Sequence, residues 1–226
     1  IVDRIYIGHI PGEGSLALTG VGVCMPIIMI VSAFAALVSS GGAPRASIYM
    51  GKQDNKSAEN ILGNCFILQI IISVILTAIL LIWGRDLLLA FGASENTISY
   101  ATDYIHIYAF GTLFVQLTLG MNAFITAQGF TTFSMVSVLI GAVCNIVLDP
   151  VFIFVFHMGV RGAALATVIS QAISTLWVVL FLCGKKTQLH LRKKHLHLEA
   201  KVVLPCIALG LAAFIMQSSE SIVTVC

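Results

Sequence analysis

The sequence predicts an all-α, polytopic helical membrane protein, and three observations carry that reading. Hydrophobic residues make up 58% of the 226-residue chain, charged residues only 10%, and mean hydropathy is +1.01, a balance that excludes a soluble globular domain. The apolar residues gather in runs of about 20 or more, enough to cross a ~30 Å hydrocarbon layer at ~1.5 Å rise per residue. One of these runs, from about 131 to 156, carries Asn145-Ile146-Val147-Leu148-Asp149-Pro150 at membrane depth. An aspartate at the centre of a membrane helix costs roughly 2.5 to 3.5 kcal/mol on insertion scales, so it is expected to face a bundle interior, paired or wet.

The chain opens on Ile1-Val2-Asp3-Arg4 with no basic n-region, so no signal peptide is visible, and it stops at Cys226. It reads as a piece of a longer protein, entered inside one helix and left near the end of another. Residues 1 to 8 form the last turns of a truncated first span, closed by the link His9-Ile10-Pro11-Gly12-Glu13-Gly14. The second span covers about 16 to 39 and ends at Gly41-Gly42-Ala43-Pro44. A charged connection follows, with Arg45, Lys52, Asp54, Lys56 and Glu59 around the turn-like Gly51-Lys52-Gln53-Asp54-Asn55. The third span, about 61 to 83, ends on Trp83 as an interfacial residue, and a polar link runs from Gly84 to about Thr97.

The fourth span, about 100 to 124, places Tyr104, Tyr108, Thr112 and Gln116 at intervals of four. They make a polar stripe on one side of a helix, for interhelical hydrogen bonding or for the lining of a cavity. In the fifth span Asn145 stands one turn before Asp149 on the same face. Pro150 frees the carbonyl of residue 146, so the helix can kink and offer backbone oxygen beside the acid. The sixth span, about 160 to 183, repeats Gly162, Ala166 and Ser170 at four-residue spacing, a pattern that lets membrane helices approach closely. A seventh runs from about 202 to 223.

Basic residues set the orientation. Arg45, Lys52, Lys56, Lys185, Lys186, Arg192, Lys193, Lys194 and Lys201 fall on one side, against Arg4, Arg85 and Arg161 on the other. This bias places the 45–59 and 185–201 links in the cytoplasm of a multi-pass cell-membrane protein. In that frame Asp3, Asp149 and Thr167, from three different spans, all lie roughly 7–11 Å below the outer surface at ~1.5 Å per residue. Asn145 lies one turn deeper. Two carboxylates with amide and hydroxyl oxygens make a nest suited to a hard monovalent cation or to shared protons.

These residues resemble the multidrug and toxic compound extrusion (MATE) transporter family. Asp3-Arg4-Ile5-Tyr6-Ile7-Gly8 resembles the family's first-helix aspartate motif, Gly51-Lys52 with Ala58 its second cytoplasmic link, and Gln128-Gly129 the end of its fourth helix. Asn145 to Pro150, followed by Gly159-Val160-Arg161-Gly162-Ala163-Ala164-Leu165-Ala166-Thr167, is the most specific match. The resemblance implies a twelve-helix protein of two six-helix lobes. Residues 1–184 would be the N-terminal lobe with its first helix truncated, 185–201 a basic link, and 202–226 most of helix seven. It also implies a cation site at Asp3, Asn145, Asp149 and Thr167, and an antiporter coupling Na⁺ or H⁺ to export of organic, often cationic, compounds. Expected partners are small organic substrates, membrane lipid and the second lobe of the same protein; no nucleic acid, enzyme activity or cofactor beyond the coupling ion is expected.

Other readings compete with these. A lipid-precursor or polysaccharide flippase of related architecture would need a large cationic cavity, yet Arg and Lys are nearly absent from the span interiors. An intramembrane aspartyl protease would use Asp3 and Asp149 as a dyad, but a GxGD-type motif is missing around Asp149. Thr167 has a purely structural alternative, a bond to the carbonyl four residues earlier. His190, His195, His197 and Glu199 read as a solvated linker rather than a metal site. His106 and His157 read as interfacial or hydrogen-bonded, and Gln217 and Glu220 as bordering an inter-lobe cavity. The six cysteines, Cys24, Cys65, Cys144, Cys183, Cys206 and Cys226, show no CxxC pairing and read as free core thiols.

Overall fold

The computed structural model describes residues 2–10, 14–184, 186–191 and 198–225, and for residues 2 and 222–225 the backbone alone. Seven helices follow in order: α1 Val2–Gly8, α2 Gly14–Gly51, α3 Asn55–Ala90, α4 Ile98–Ala127, α5 Thr131–Pro150, α6 Gly159–Cys183 and α7 Ala200–Val225. A π-helical turn, Val151–Val155, continues α5. Among the described residues six helical segments are long and apolar enough to cross a membrane, which makes the chain an all-helical, polytopic membrane protein.

The segmentation of the sequence holds, but two helices run further than expected. α2 does not end at Gly41-Gly42-Ala43-Pro44; it continues through Pro44 to Gly51. The two glycines are where other helices press closest. A Cβ at Gly41 would overlap the Cys206 carbonyl of α7, and one at Gly42 would strike Cys65 Sγ and Phe124. Arg45, expected in a link, therefore lies inside α2 and donates to the Val202 carbonyl at 2.8 Å and to Cys206 Sγ at 3.2 Å. The connection shrinks to Lys52, Gln53 and Asp54, with Gln53 at φ +61° and Asp54 capping α3 through the Ser57 amide. The side-chain and backbone bonds from Ser57 hold the Asp54 carboxyl below its ordinary range.

α3 likewise passes Trp83 and ends at Ala90, with Trp83 exposed on its flank. At 36 residues it is ~54 Å long, well beyond a ~30 Å layer, so it tilts or projects past the surface.

α4 is the hub of the lobe. It packs against α2, α3, α5 and α6, and 61% of its most apolar 18-residue stretch is buried, against 17% for α5 with its π turn. Packing between apolar helices in lipid is driven by close van der Waals fit, and the glycines mark where it is tightest. Gly162 of α6 lies on the backbone of Phe152 in the π turn, and Gly111 of α4 faces Val168. α7 runs antiparallel to α2 in an equally close crossing, where a Cβ at Gly210 would overlap the Leu37 carbonyl. Cys24, Cys65 and Cys206 are buried as expected, whereas Cys183 at the end of α6 is exposed; Cys226 lies outside the described residues.

The described residues of the link before α7 are also more firmly held than expected. Gln128 Oε1 accepts from Thr187 Oγ1 at 2.6 Å and from the amides of Gln188 and Leu189, each at 2.9 Å. Buried Glu59 accepts from the His190 amide at 3.1 Å and sits 3.5 Å from its ring, while Asn64 accepts from the Glu199 amide at 2.6 Å. The two ends of the link are thus tied to α3 and α4. His195 and His197 lie outside the described residues, and among those described no cluster of three or more His, Cys, Asp or Glu could hold a metal.

Candidate cation site

α5 turns few residues toward the lobe: Ser137, Gly141 and Asp149 are the buried ones, with Asn145 half-buried between them at the same four-residue interval. Asp149 is fully buried. Its Oδ1 accepts from Asn145 Nδ2 at 3.2 Å, and its Oδ2 has no hydrogen-bond partner. Asn145 Nδ2 also lies 3.4 Å from Thr167 Oγ1 on α6. The single Thr167 hydroxyl proton has two acceptors, the Ala163 carbonyl at 3.0 Å and an Asp3 carboxylate oxygen at 3.2 Å. The structural alternative for Thr167 and its contact with Asp3 therefore coexist.

The structure brings Asp3, Asn145, Asp149 and Thr167 together from α1, α5 and α6. The carboxyl groups of Asp3 and Asp149 come within hydrogen-bonding reach of each other, but as carboxylates neither can donate. Two unit charges about 4 Å apart repel by roughly 4 kcal/mol at an effective dielectric of about 20, a repulsion that a proton or a cation between two such carboxylates would remove. The surrounding donor atoms are all oxygen apart from the Asn145 amide nitrogen, a set matched to hard cations and indifferent to soft metals.

Three of the four residues, Asp3, Asn145 and Thr167, line a cavity of about 330 Å³ that extends to Thr118, Gln171 and Ser174. A wider recess of about 620 Å³ lies at the α5–α6 turn, around Tyr100, Asp103, His157 and Arg161, where Arg161 and Asp103 form an exposed 3.0 Å ion pair.

The polar stripe of α4 divides. Tyr104 places its phenol beside Thr167 and near Asp3. Tyr108 stacks on Tyr104 with ring centroids 6.2 Å apart, and Thr112 turns to the Tyr108 carbonyl at 3.5 Å. Gln116 donates to the Val31 carbonyl at 2.8 Å and so ties α4 to α2. All four are buried.

A family model described as MatE matches residues 1–151, about two thirds of the chain. The chain belongs to the MatE family. Among curated proteins, the multidrug export protein MepA of Staphylococcus haemolyticus is 28% identical over 216 residues, covering 96% of this chain and 47% of its own length. MepA of Staphylococcus saprophyticus is 23% identical over 217 residues, covering 96% and 48%. A solved structure described as the inward-facing conformation of a multidrug resistance MATE family transporter of the MOP superfamily matches with a TM-score of 0.92 at 26% identity, over 99% of this chain and 50% of that one. The outward-facing conformation of such a transporter matches at 0.88 and 26%, over 97% and 48%. This MatE chain spans about half the length of the curated relatives it matches.

Sequence reasoning about this MatE lobe missed the polar contacts below the site. Thr118, Asn122, Ser134, Ser137 and Ser174 all hydrogen-bond across helix boundaries. Their signal was present as isolated Ser, Thr and Asn in apolar spans, but a small hydroxyl is common in membrane helices, and only the packing shows that these face one seam.

Proposed function

We propose that this chain is the N-terminal lobe of a cation-coupled exporter of organic compounds, with α7 opening the second lobe and the whole spanning the cell membrane. The reading rests on the buried Asp149 and its partnerless Oδ2, held beside Asp3, Asn145 and Thr167, three residues that line a cavity reaching Thr118, Gln171 and Ser174. The export activity named for the staphylococcal relatives supports it. The basic residues around the 52–54 turn and the 185–201 link are placed in the cytoplasm, which puts the site nearer the outer face.

A close pair of carboxylates, one of them fully buried, exists in two arrangements, one with a bound proton or cation and one without. Ion arrival removes the repulsion between Asp3 and Asp149 and changes what Asn145 and Thr167 bond to. Because α5 gives way to a π turn immediately after Pro150, a change at Asp149 is transmitted to a weakened part of the helix. Ion binding thereby biases the lobe between two shapes and drives release of substrate. Oxygen ligands admit both sodium and protons. Among the described residues the cavity wall carries the Asp3 carboxylate and no Lys or Arg, which opposes a flippase for anionic lipid precursors, and membership of a family whose solved members are described as transporters opposes a protease.

The test uses the complete transporter that carries this lobe, reconstituted in vesicles under an imposed sodium or pH gradient. Asp149→Asn keeps size and hydrogen bonding and removes the titratable charge. Gradient-driven drug efflux is expected to fall at least tenfold with membrane insertion near normal, and the gradient that drives the wild type identifies the ion. Undiminished efflux refutes the reading.

A further inference from the structure

We infer that the coupling cation leaves toward the basic end of the bundle along a neutral polar seam between α4, α5 and α6, gated by Ser137, Asn122 and Ser174. This rests on the cation site proposed above and adds to it a route and a gate. The cavity that begins at Asp3, Asn145 and Thr167 reaches Ser174 on α6, seven residues or ~10 Å further down that helix. Below its floor the polar contacts continue. Ser174 donates to the Ser137 carbonyl at 2.9 Å, Ser137 donates to Asn122 Oδ1 at 3.1 Å, and Asn122 donates to the Ser134 carbonyl at 3.3 Å. Thr126 then donates to Ser134 Oγ at 2.9 Å, and Thr126 is exposed beside the Gln128-Gly129 turn. That turn stands at the same end as Lys52 and the 186–191 segment, the end assigned to the cytoplasm.

Four observations favour a passage over mere helix glue. First, the fully buried residues of α5, Ser137, Gly141 and Asp149, are small or polar, while its large apolar contact with α6, Phe133 on Trp177 and Phe181, is separate from this ladder. Second, Gly141 leaves the space that the Ser174 hydroxyl fills: a Cβ there would lie 2.5 Å from Ser174 Oγ. Third, Gln171 Oε1, on the cavity wall, is buried without a hydrogen-bond partner, an acceptor left open for water or for an ion in transit. Fourth, the seam from Thr118 and Ser174 to Thr126 is built of hydroxyls, amides and carbonyls and contains no charged side chain, which lets a cation pass without being trapped, as conduction requires. In the present arrangement the Ser174–Ser137–Asn122 contacts close the floor. A small outward movement of α5, hinged where the helix passes into the π turn, would join the cavity to Thr126 and the cytoplasm.

The test uses the complete transporter in detergent and in vesicles. Equilibrium binding is read with sodium-22 and, separately, as proton release; transport is read as gradient-driven efflux. Gly141→Ala and Asn122→Leu are expected to lower efflux at least tenfold while equilibrium ion binding stays within about twofold of wild type. Asp149→Asn is expected to lose both. If Asp149→Asn loses both but the two seam variants transport like wild type, the route is wrong and the cation site stands; if Asp149→Asn keeps ion binding, the site reading itself fails. A second measurement covers misfolding of Gly141→Ala. In a cysteine-free background, Ser137→Cys is exposed to silver ion from the cytoplasmic side and then assayed for blocked maleimide labelling after denaturation. Reaction that accelerates during turnover supports the route; protection of Ser137→Cys under conditions where Thr126→Cys reacts overturns it.

Discussion

Thr167 on α6 donates its hydroxyl to Asp3 on α1 across 3.2 Å, although the two residues stand 164 positions apart in the chain. The same proton can turn to the Ala163 carbonyl at 3.0 Å, so the hydroxyl is shared between holding its own helix and holding the carboxylate. If the second role matters, Thr167→Val lowers apparent ion affinity about tenfold, the equivalent of the ~1 kcal/mol that a net hydrogen bond contributes and somewhat more for a charged acceptor. Thr167→Ser is expected to restore it within about threefold. Unchanged ion dependence of transport in Thr167→Val would remove the residue from the site.

Gln128 accepts three donors from the 187–189 segment through one oxygen. Gln128→Leu leaves those donors without their acceptor, at about 1–3 kcal/mol for each one that stays buried. Proteolysis or amide exchange across residues 186–191 is expected to accelerate at least tenfold, and Gln128→Glu, which keeps acceptor oxygens, to show a smaller effect. Equal rates in wild type and Gln128→Leu would mean that the link is held by other contacts.

The crossing of α2 and α7 depends on Gly41 and Gly210, each facing a carbonyl of the other helix. A methyl at Gly210 cannot be accommodated without separating the two backbones, so Gly210→Ala is expected to lower the melting temperature of the purified protein by several degrees. Gly22→Ala, in the same α2 helix with open space around the new methyl, is the control and is expected to be neutral or stabilising by about 0.5–1 kcal/mol. Matching melting curves for the two variants would contradict the close crossing.

Gln188 is exposed at the end of the bundle that carries the basic links. In a background without other cysteines, Gln188→Cys is expected to resist impermeant thiol reagents in intact cells and to react after permeabilisation. Ready labelling in intact cells reverses the proposed orientation, and with it the direction of the ion route.

Membrane character, the number and order of spans, and the identity of Asp149 as an anomaly were legible in the sequence. Each follows from a one-dimensional quantity: apolar run length against a fixed layer thickness, and the cost of a charge inside a run. That Asp3, Asn145, Asp149 and Thr167 could share one level along the bundle was legible too, because helical rise is constant and they can be placed by counting from the span ends. Where α2 and α3 stop was not. Gly-Gly-Ala-Pro reads as a break in isolation, and only α7 and α3 pressed against Gly41 and Gly42 show why the helix keeps its glycines and goes on.

The sequence by itself determined that this chain is a bundle of membrane helices with an aspartate inside an apolar span, since hydrophobic length and helix pitch need no partner to act. Only the tertiary structure decided which polar residues meet. Rotation of each helix about its axis fixes whether a serine, threonine or glutamine faces lipid, another helix or a cavity. That rotation is set by packing between residues far apart in the chain, such as Gly162 on Phe152, Gly111 on Val168 and Gly210 on Leu37. It turned Tyr104 toward Thr167 but spent Gln116 on Val31, and it gathered Asn122, Ser137 and Ser174 from three helices into one seam below Asp149.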